Sequence, residues 1–155
     1  MDILNLKSIC RKKRKNHKKS TPEIVAEMKY GIGQKAYLSA ILDLADKSIV
    51  SFMIGYSNNN NLAFKTFDVA HQKHPDVTPI FHSYRGFQYI SKIFKNKLNQ
   101  ANMTQSMSRV SCCIDNDPME AFWGMLKSEM YYLKKFSSYD ELKEAIIDIK
   151  NVLTP

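Results

Sequence analysis

Cysteine is scarce in this 155-residue chain: Cys10 and the adjacent Cys112 and Cys113 have no metal-ligand spacing, and an odd count closes no disulfide framework. A reducing cytoplasm is the default for such usage, and the adjacent pair reads as small packing residues. Long apolar runs are also missing. The longest near-apolar stretch, IVSFMIG at 49–55, is far too short to cross a bilayer, and the N-terminus lacks the apolar segment of a signal peptide. No internal repeat is found, and low complexity is confined to a basic run and to NNNN at 58–61. Acidic residues nearly vanish from the first twenty positions, where Asp2 stands against eight lysines and arginines.

That imbalance accounts for most of the charge. The whole chain carries +8, and residues 1–20 hold +7 of it, so the remainder is close to neutral. The run RKKRKNHKK at 11–19 (Arg11, Lys12, Lys13, Arg14, Lys15, Lys18 and Lys19) has no apolar period and repels itself, which makes it a solvated arm. Such an arm either solubilises the chain or binds a polyanion; charge of this density gives affinity without sequence specificity.

From Lys35 onward the pattern becomes that of one globular domain, with 44% hydrophobic and 25% charged residues overall. KAYLSAILDL (35–44) and SIVSFMIGYS (48–57) are strand-like and joined by a short turn, which predicts an antiparallel hairpin. LAFKTFDVAHQKH (62–74) has a helical period ended by Pro75, and TPIFHSY (78–84) reads as a buried strand. FQYISKIFKNKLNQANM (87–103) repeats Tyr89/Ile90 and Ile93/Phe94 at helical spacing, TQSMSRV (104–110) reads as a short edge strand, and two helices are expected over 115–133 and 137–153. This mixed alternation predicts a sheet with helices packed on it.

Several strings, in order YLSAILDL, IVSFMIGYSNNN, FHSYRGFQY, MTQSMSRV, IDNDPMEAFWGMLKSEMYYL and FSSYDELKEAI, resemble the second reading frame of bacterial insertion-sequence transposases with a retroviral-integrase-like core. The resemblance spans most of residues 4–150. It implies a ribonuclease-H-like α/β fold, a bacterial cytoplasmic setting, DNA as partner, and strand transfer by an Asp, Asp, Glu triad holding two Mg²⁺ or Mn²⁺ ions. The logic of that triad is that paired divalent ions make a hydroxyl nucleophilic and stabilise the leaving oxyanion, so every carboxylate must be present.

Here the pattern departs. Where the resemblance implies His-Ser-Asp-Arg-Gly, this chain has His82, Ser83, Tyr84, Arg85 and Gly86. Thirty-five residues separate Tyr84 from Glu120, the spacing the family uses between its second Asp and its Glu, so Tyr84 marks the position of a lost ligand. A phenol ionises near pH ~10 and is a poor magnesium ligand at neutrality. The first Asp is expected to be missing too: TPEIVAE (21–27) runs directly into MKYGIGQ (28–34), as though a linker and the first core strand had been deleted, with Glu23 and Ile24 nearest the vacant position. Glu120, within DNDPME, is the third carboxylate by resemblance and a capping-box acid by its local sequence.

Lys127 on the same helical face is either a phosphate contact or a solvated lysine, and His82 and Arg85 either orient the site or fasten the turn. Asp43 is a distant alternative ligand. The family continues past the end of this sequence, KNVLTP, through further substrate-contacting residues. The expected organisation is a basic arm with an upstream remnant over 1–27 and an incomplete integrase core over 28–155. The expected function is DNA binding without strand transfer, no metal being held productively, or else interference with an intact transposase of the same element.

Overall fold

The computed structural model describes residues 25–109, 117–128 and 133–153. Its first unit is a three-stranded antiparallel sheet of β1 (Val25–Tyr30), β2 (Gln34–Leu42) and β3 (Ile49–Gly55), in that spatial order. Between β1 and β2 the chain reverses at Gly31 and Gly33, with φ of 53° and 80°, values that a side chain resists and glycine accepts. The predicted hairpin of β2 and β3 is present, with Tyr37 opposite Gly55 and Ala40 opposite Phe52. Its turn is tied by Asp43: the Asp43 N–H donates to the Ser48 carbonyl (2.9 Å), the Asp43 carbonyl accepts from Lys47 N (2.9 Å), and Asp43 Oδ1 accepts from Ala45 N (2.8 Å).

The fold class is the α/β one expected, sheets with flanking helices, here an antiparallel sheet of three strands and a parallel sheet of two. Upstream of the predicted hairpin VAEMKY adds a strand, pairing with β2 from Val25 opposite Ser39 to Tyr30 opposite Gln34. The physical reason is alternation: Met28 turns inward and is buried beside Ala36 and Leu38, while Lys29 turns outward. The strand therefore crosses the 27/28 boundary drawn from sequence, and the sheet begins by Val25.

Helix α1 (Asn60–Lys73) starts where the Asn59 side chain accepts from Leu62 N (3.0 Å) and lays Leu62, Ala63, Phe64 and Phe67 against β2 and β3. It is pinned by the buried Ser51 hydroxyl, which donates to the Thr66 carbonyl (2.7 Å). After it come β4 (Ile80–Ser83) and, beyond helix α2 (Lys92–Gln100), β5 (Thr104–Met107). β4 and β5 pair in parallel, Phe81 opposite Gln105 and His82 opposite Ser106. Helix α2 is shorter than the 87–103 expected. Residues 87–91 form a turn in which Tyr89 N and Ile90 N donate to the Gly86 carbonyl, and the Ser91 hydroxyl accepts from Phe94 N as the cap.

Phe94, fully buried, is the hub of an aromatic cluster, its ring centre 5.1–5.7 Å from those of Tyr89, Phe81, Phe67 and Phe64. Helix α3 (Asp117–Leu126) buries Phe122, Trp123 and Leu126, while Met125 is exposed. Helix α4 (Tyr139–Leu153) opens with a capping box, Ser138 Oγ accepting from Glu141 N (3.2 Å) and Glu141 Oε2 accepting from Ser137 N (2.7 Å). It buries Leu142 and Ile146, and its Tyr139 hydroxyl reaches the Ile54 carbonyl of β3 (3.1 Å). No described helix is long and apolar enough to cross a membrane.

Candidate functional site

β4 ends at Ser83, and Tyr84 follows at the lip of the sheet, the position the sequence spacing singled out. Its ring folds back over the backbone of Gly86. A Cβ placed on Gly86 would lie 2.5 Å from the phenol oxygen and its ring carbon, so the absence of a side chain there is what lets the tyrosine lie down. On its other side the ring meets the edge of Tyr89 at 5.7 Å and 62°. Tyr84 is half-buried, and Tyr89 is 3% exposed. Burial pushes the Tyr89 phenol well above the ordinary tyrosine range, with nearby Tyr84 adding to the rise and a hydrogen bond with Ser39 of β2 opposing it.

The residues flanking Tyr84 are fastened across the parallel strand pair. The His82 ring lies with Nδ1 3.1 Å from Ser106 Oγ and Nε2 3.2 Å from Ser108 Oγ. Arg85 Nε donates to the Ser108 carbonyl (3.1 Å), and Ser108 N donates to the Ser83 carbonyl (2.9 Å). Of the two alternatives for His82 and Arg85, fastening the turn assumed bonds within their own strand. The partners instead lie more than twenty residues on, along β5 and the residues following it.

Sequence reasoning passed over two members of this neighbourhood, Ser83 and Gln88, both fully buried. Gln88 Nε2 donates to Asn58 Oδ1 (2.7 Å), linking the turn to the asparagine run before α1, while Gln88 Oε1 and Ser83 Oγ are buried without partners. Their only signal was their place inside FHSYRGFQY, beside the position of the lost acid.

Glu120 is exposed in the first turn of α3, and Lys127 lies half-buried just past the end of that helix. Asp43 is buried but commits its carboxylate to Ala45 N, which holds a turn rather than leaving oxygens for an ion. Among the described residues no three of His, Cys, Asp and Glu converge in a metal-binding arrangement. Among the described residues, the phenol packed on Gly86 at this lip does not fit a pair of divalent ions, which require several hard carboxylate oxygens. Arg11, Lys12, Lys13, Arg14, Lys15, Lys18 and Lys19, with Glu23, Ile24, Cys10, Cys112, Cys113 and Met130, lie outside the described residues.

Residues 120–149 match the integrase core domain family. Over 117 residues, 75% of this chain and 41% of the relative, the sequence is 38% identical to the putative transposase InsK for insertion sequence element IS150 of Escherichia coli. It is 35% identical over 122 residues to a transposase-like protein of Haemophilus influenzae, covering 56% of it. It is also 28% identical over 114 residues to the transposase InsF of IS3A from Escherichia coli, covering 39% of it. The chain thus spans between two fifths and just over half the length of these relatives. A chain of the simian T-cell lymphotropic virus intasome, solved in complex with the PP2A regulatory subunit B56 gamma, superposes with a TM-score of 0.65 at 15% identity. The superposition covers 78% of this chain and 44% of that one, and the likeness establishes the integrase-core fold.

Proposed function

This chain belongs to the bacterial insertion-sequence transposases with an integrase core, and from that membership we propose that it is a DNA-binding member of the family that does not carry out strand transfer. The observation that supports this reading is Tyr84. At the strand end where the family's pattern sets its second aspartate, a tyrosine lies packed on Gly86 and Tyr89, and its neutral oxygen cannot replace a carboxylate on a divalent ion. Glu120 is then the one acid left of the three that the family's pattern requires, and Mg²⁺ or Mn²⁺ has no productive seat.

DNA affinity, in this reading, comes from the basic arm rather than from the core. Seven lysines and arginines between residues 11 and 19 face phosphate, with Arg85 and Lys127 as lesser contacts; outside the first twenty residues the charge nearly cancels. The arm also favours a second role. A chain that occupies the element's DNA without cutting it interferes with an intact transposase of the same element.

The test pairs two measurements on the purified full chain. Duplex DNA carrying the element's ends should be bound with a log–log salt slope as steep as about −6 if all seven arm charges meet phosphate, and deleting 11–19 should abolish most of the affinity. The same protein should give no strand transfer with Mg²⁺ or Mn²⁺. Salt-independent binding would refute the arm's role, and joined DNA products would refute the loss of catalysis.

A further inference from the structure

The turn at 87–91 shifts the register of α2 and leaves Ile90 and Ile93 exposed, but the most exposed large apolar side chains among the described residues lie elsewhere. Ile32, Leu133 and Tyr56 belong to three stretches of chain that meet at one end of the antiparallel sheet. The β1–β2 turn is fastened there to the segment before α4 by the Gly31 N–H, which donates to the Phe136 carbonyl (2.8 Å). The end of β3 is fastened to the first residue of α4, Tyr139, whose hydroxyl donates to the Ile54 carbonyl (3.1 Å). Three tyrosine rings stand on this frame: Tyr139 meets Tyr30 edge-on (6.0 Å, 65°) and stacks on Tyr56 (4.4 Å, 30°).

Tyr139 covers one face of Tyr56, and at 67% exposure the rest of the Tyr56 ring is open to water. Because Tyr139 is itself held by Tyr30 and by the Ile54 carbonyl, the open face is presented on a fixed support. Burial first, then neighbouring Tyr56, Tyr30 and Asp140, holds the Tyr139 phenol above the ordinary tyrosine range, so it carries no charge at neutral pH. The exposed Lys134 and Lys135 lead into Phe136, and among the described residues neither is paired with an acid. Of the acids close by, Glu27 is taken by Lys35 (3.1 Å) and Glu141 by Ser137 N (2.7 Å), which leaves Asp140 as the opposing charge. An open aromatic face beside unpaired cations suits a flat ring that carries phosphate. A base within a duplex is already stacked on both sides, so only an unpaired base can use such a face.

We propose that Tyr56 is a stacking platform for an unpaired base of single-stranded DNA, with Lys134 and Lys135 meeting the adjoining phosphates and Ile32 packing beside the base. The proposal rests on the DNA-binding reading above for its partner and adds to it a preference for unpaired over paired strands. The basic run ends at Lys19, six residues before β1 begins, so the chain carries further phosphate-binding charge close in sequence to this end of the sheet. The platform also neighbours the lip at Tyr84, since Asn58, two residues beyond Tyr56, accepts from Gln88 of the turn that follows Tyr84.

Fluorescence anisotropy on the full-length protein tests this with three probes of equal length: oligo(dT), a strand lacking its bases, and a duplex. Oligo(dT) should bind more tightly than the abasic strand, which carries the same phosphates. Tyr56→Ala should weaken oligo(dT) binding about 5- to 100-fold, the range for losing one stacked base, and leave the abasic strand and the duplex unaffected. Tyr56→Phe should bind as the parent does, because stacking needs the ring and not the hydroxyl. K134E/K135E should weaken oligo(dT) binding and flatten its salt dependence. Photocrosslinking from 5-iododeoxyuridine placed in the strand should fall on Tyr56, a readout that a merely structural ring would not give. Equal binding of the abasic strand, an unchanged Tyr56→Ala protein, or crosslinks confined to other residues would overturn the proposal. So would anionic phospholipid vesicles bound in place of oligo(dT) and released by Tyr56→Ala, since the surface would then belong to lipid. Duplex binding that survives deletion of 11–19 refutes the arm's role but not the platform, so the two readings fail separately.

Discussion

Restoring the family's acid at position 84 tests the reading of this site most directly. In Tyr84→Asp the half-buried ring is lost together with its edge contact to Tyr89 and its cover over Gly86. The aromatic pair is worth about 0.5–1.5 kcal/mol beyond area, and burying roughly half of a large side chain contributes on the order of 1 kcal/mol more. The new carboxylate would also sit beside Tyr89, a buried phenol that already resists ionisation. The expected outcome is a loss of about 1.5–2.5 kcal/mol in urea unfolding. Strand transfer with Mg²⁺ or Mn²⁺ stays absent, because one regained carboxylate beside Glu120 still leaves the first aspartate unreplaced. An unchanged or higher unfolding midpoint would show that the ring contributes nothing. Joined DNA products from this single variant would show that another residue already serves as the missing ligand.

The phenol of Tyr89 should make the fold sensitive to alkali. Its pKa is raised in the folded chain, so the unfolded chain releases the proton first: the stabilisation is fully present below the ordinary tyrosine value of about 10 and declines as pH rises above it. Denaturant unfolding between pH 8 and 11 should show a steeper alkaline loss in the parent than in Tyr89→Phe, and equal slopes would refute the assignment. At the β2–β3 turn, Asp43→Ala should cost about 1–2 kcal/mol through the lost bond to Ala45 N and the uncovered turn, while salt-dependent DNA binding is unchanged. Weakened DNA binding in that variant would mean that Asp43 serves the site after all.

The elements most legible in the sequence were those whose side chains alternate or repeat without interruption. The β2–β3 hairpin, α1 with its stop at Pro75, and the strand at 80–83 follow from apolar periods bounded by turn residues, although that last strand, expected to be buried, leaves Ile80 exposed and buries only Ser83. β1 escaped because its residues are largely polar and small, and because IVAE matched an upstream motif; only pairing with β2 turns VAEMKY into a strand. In α2 the spacing was right and the face was wrong. A turn that ends at Ser91 instead of a continuous helix rotates the stripe, and periodicity does not register such a phase shift. Tyr84 was legible as a departure from a pattern. Its resting place over Gly86 was not, since that depends on the glycine lacking a side chain and on Tyr89 arriving from the following turn.

Sequence by itself determined the charged arm, the order of strands and helices from β2 onward, and the replacement of an acid by a phenol at position 84, because each is a matter of which groups the chain carries and at what spacing. Tertiary structure decided what those groups meet. It put His82 against serines two dozen residues away, committed Asp43 to a turn, buried Gln88 against Asn58, and left Ile90 and Ile93 in water. Hydrogen bonds and burial are properties of distances in space, which strand pairing and helix phase fix only when the whole domain closes on its core.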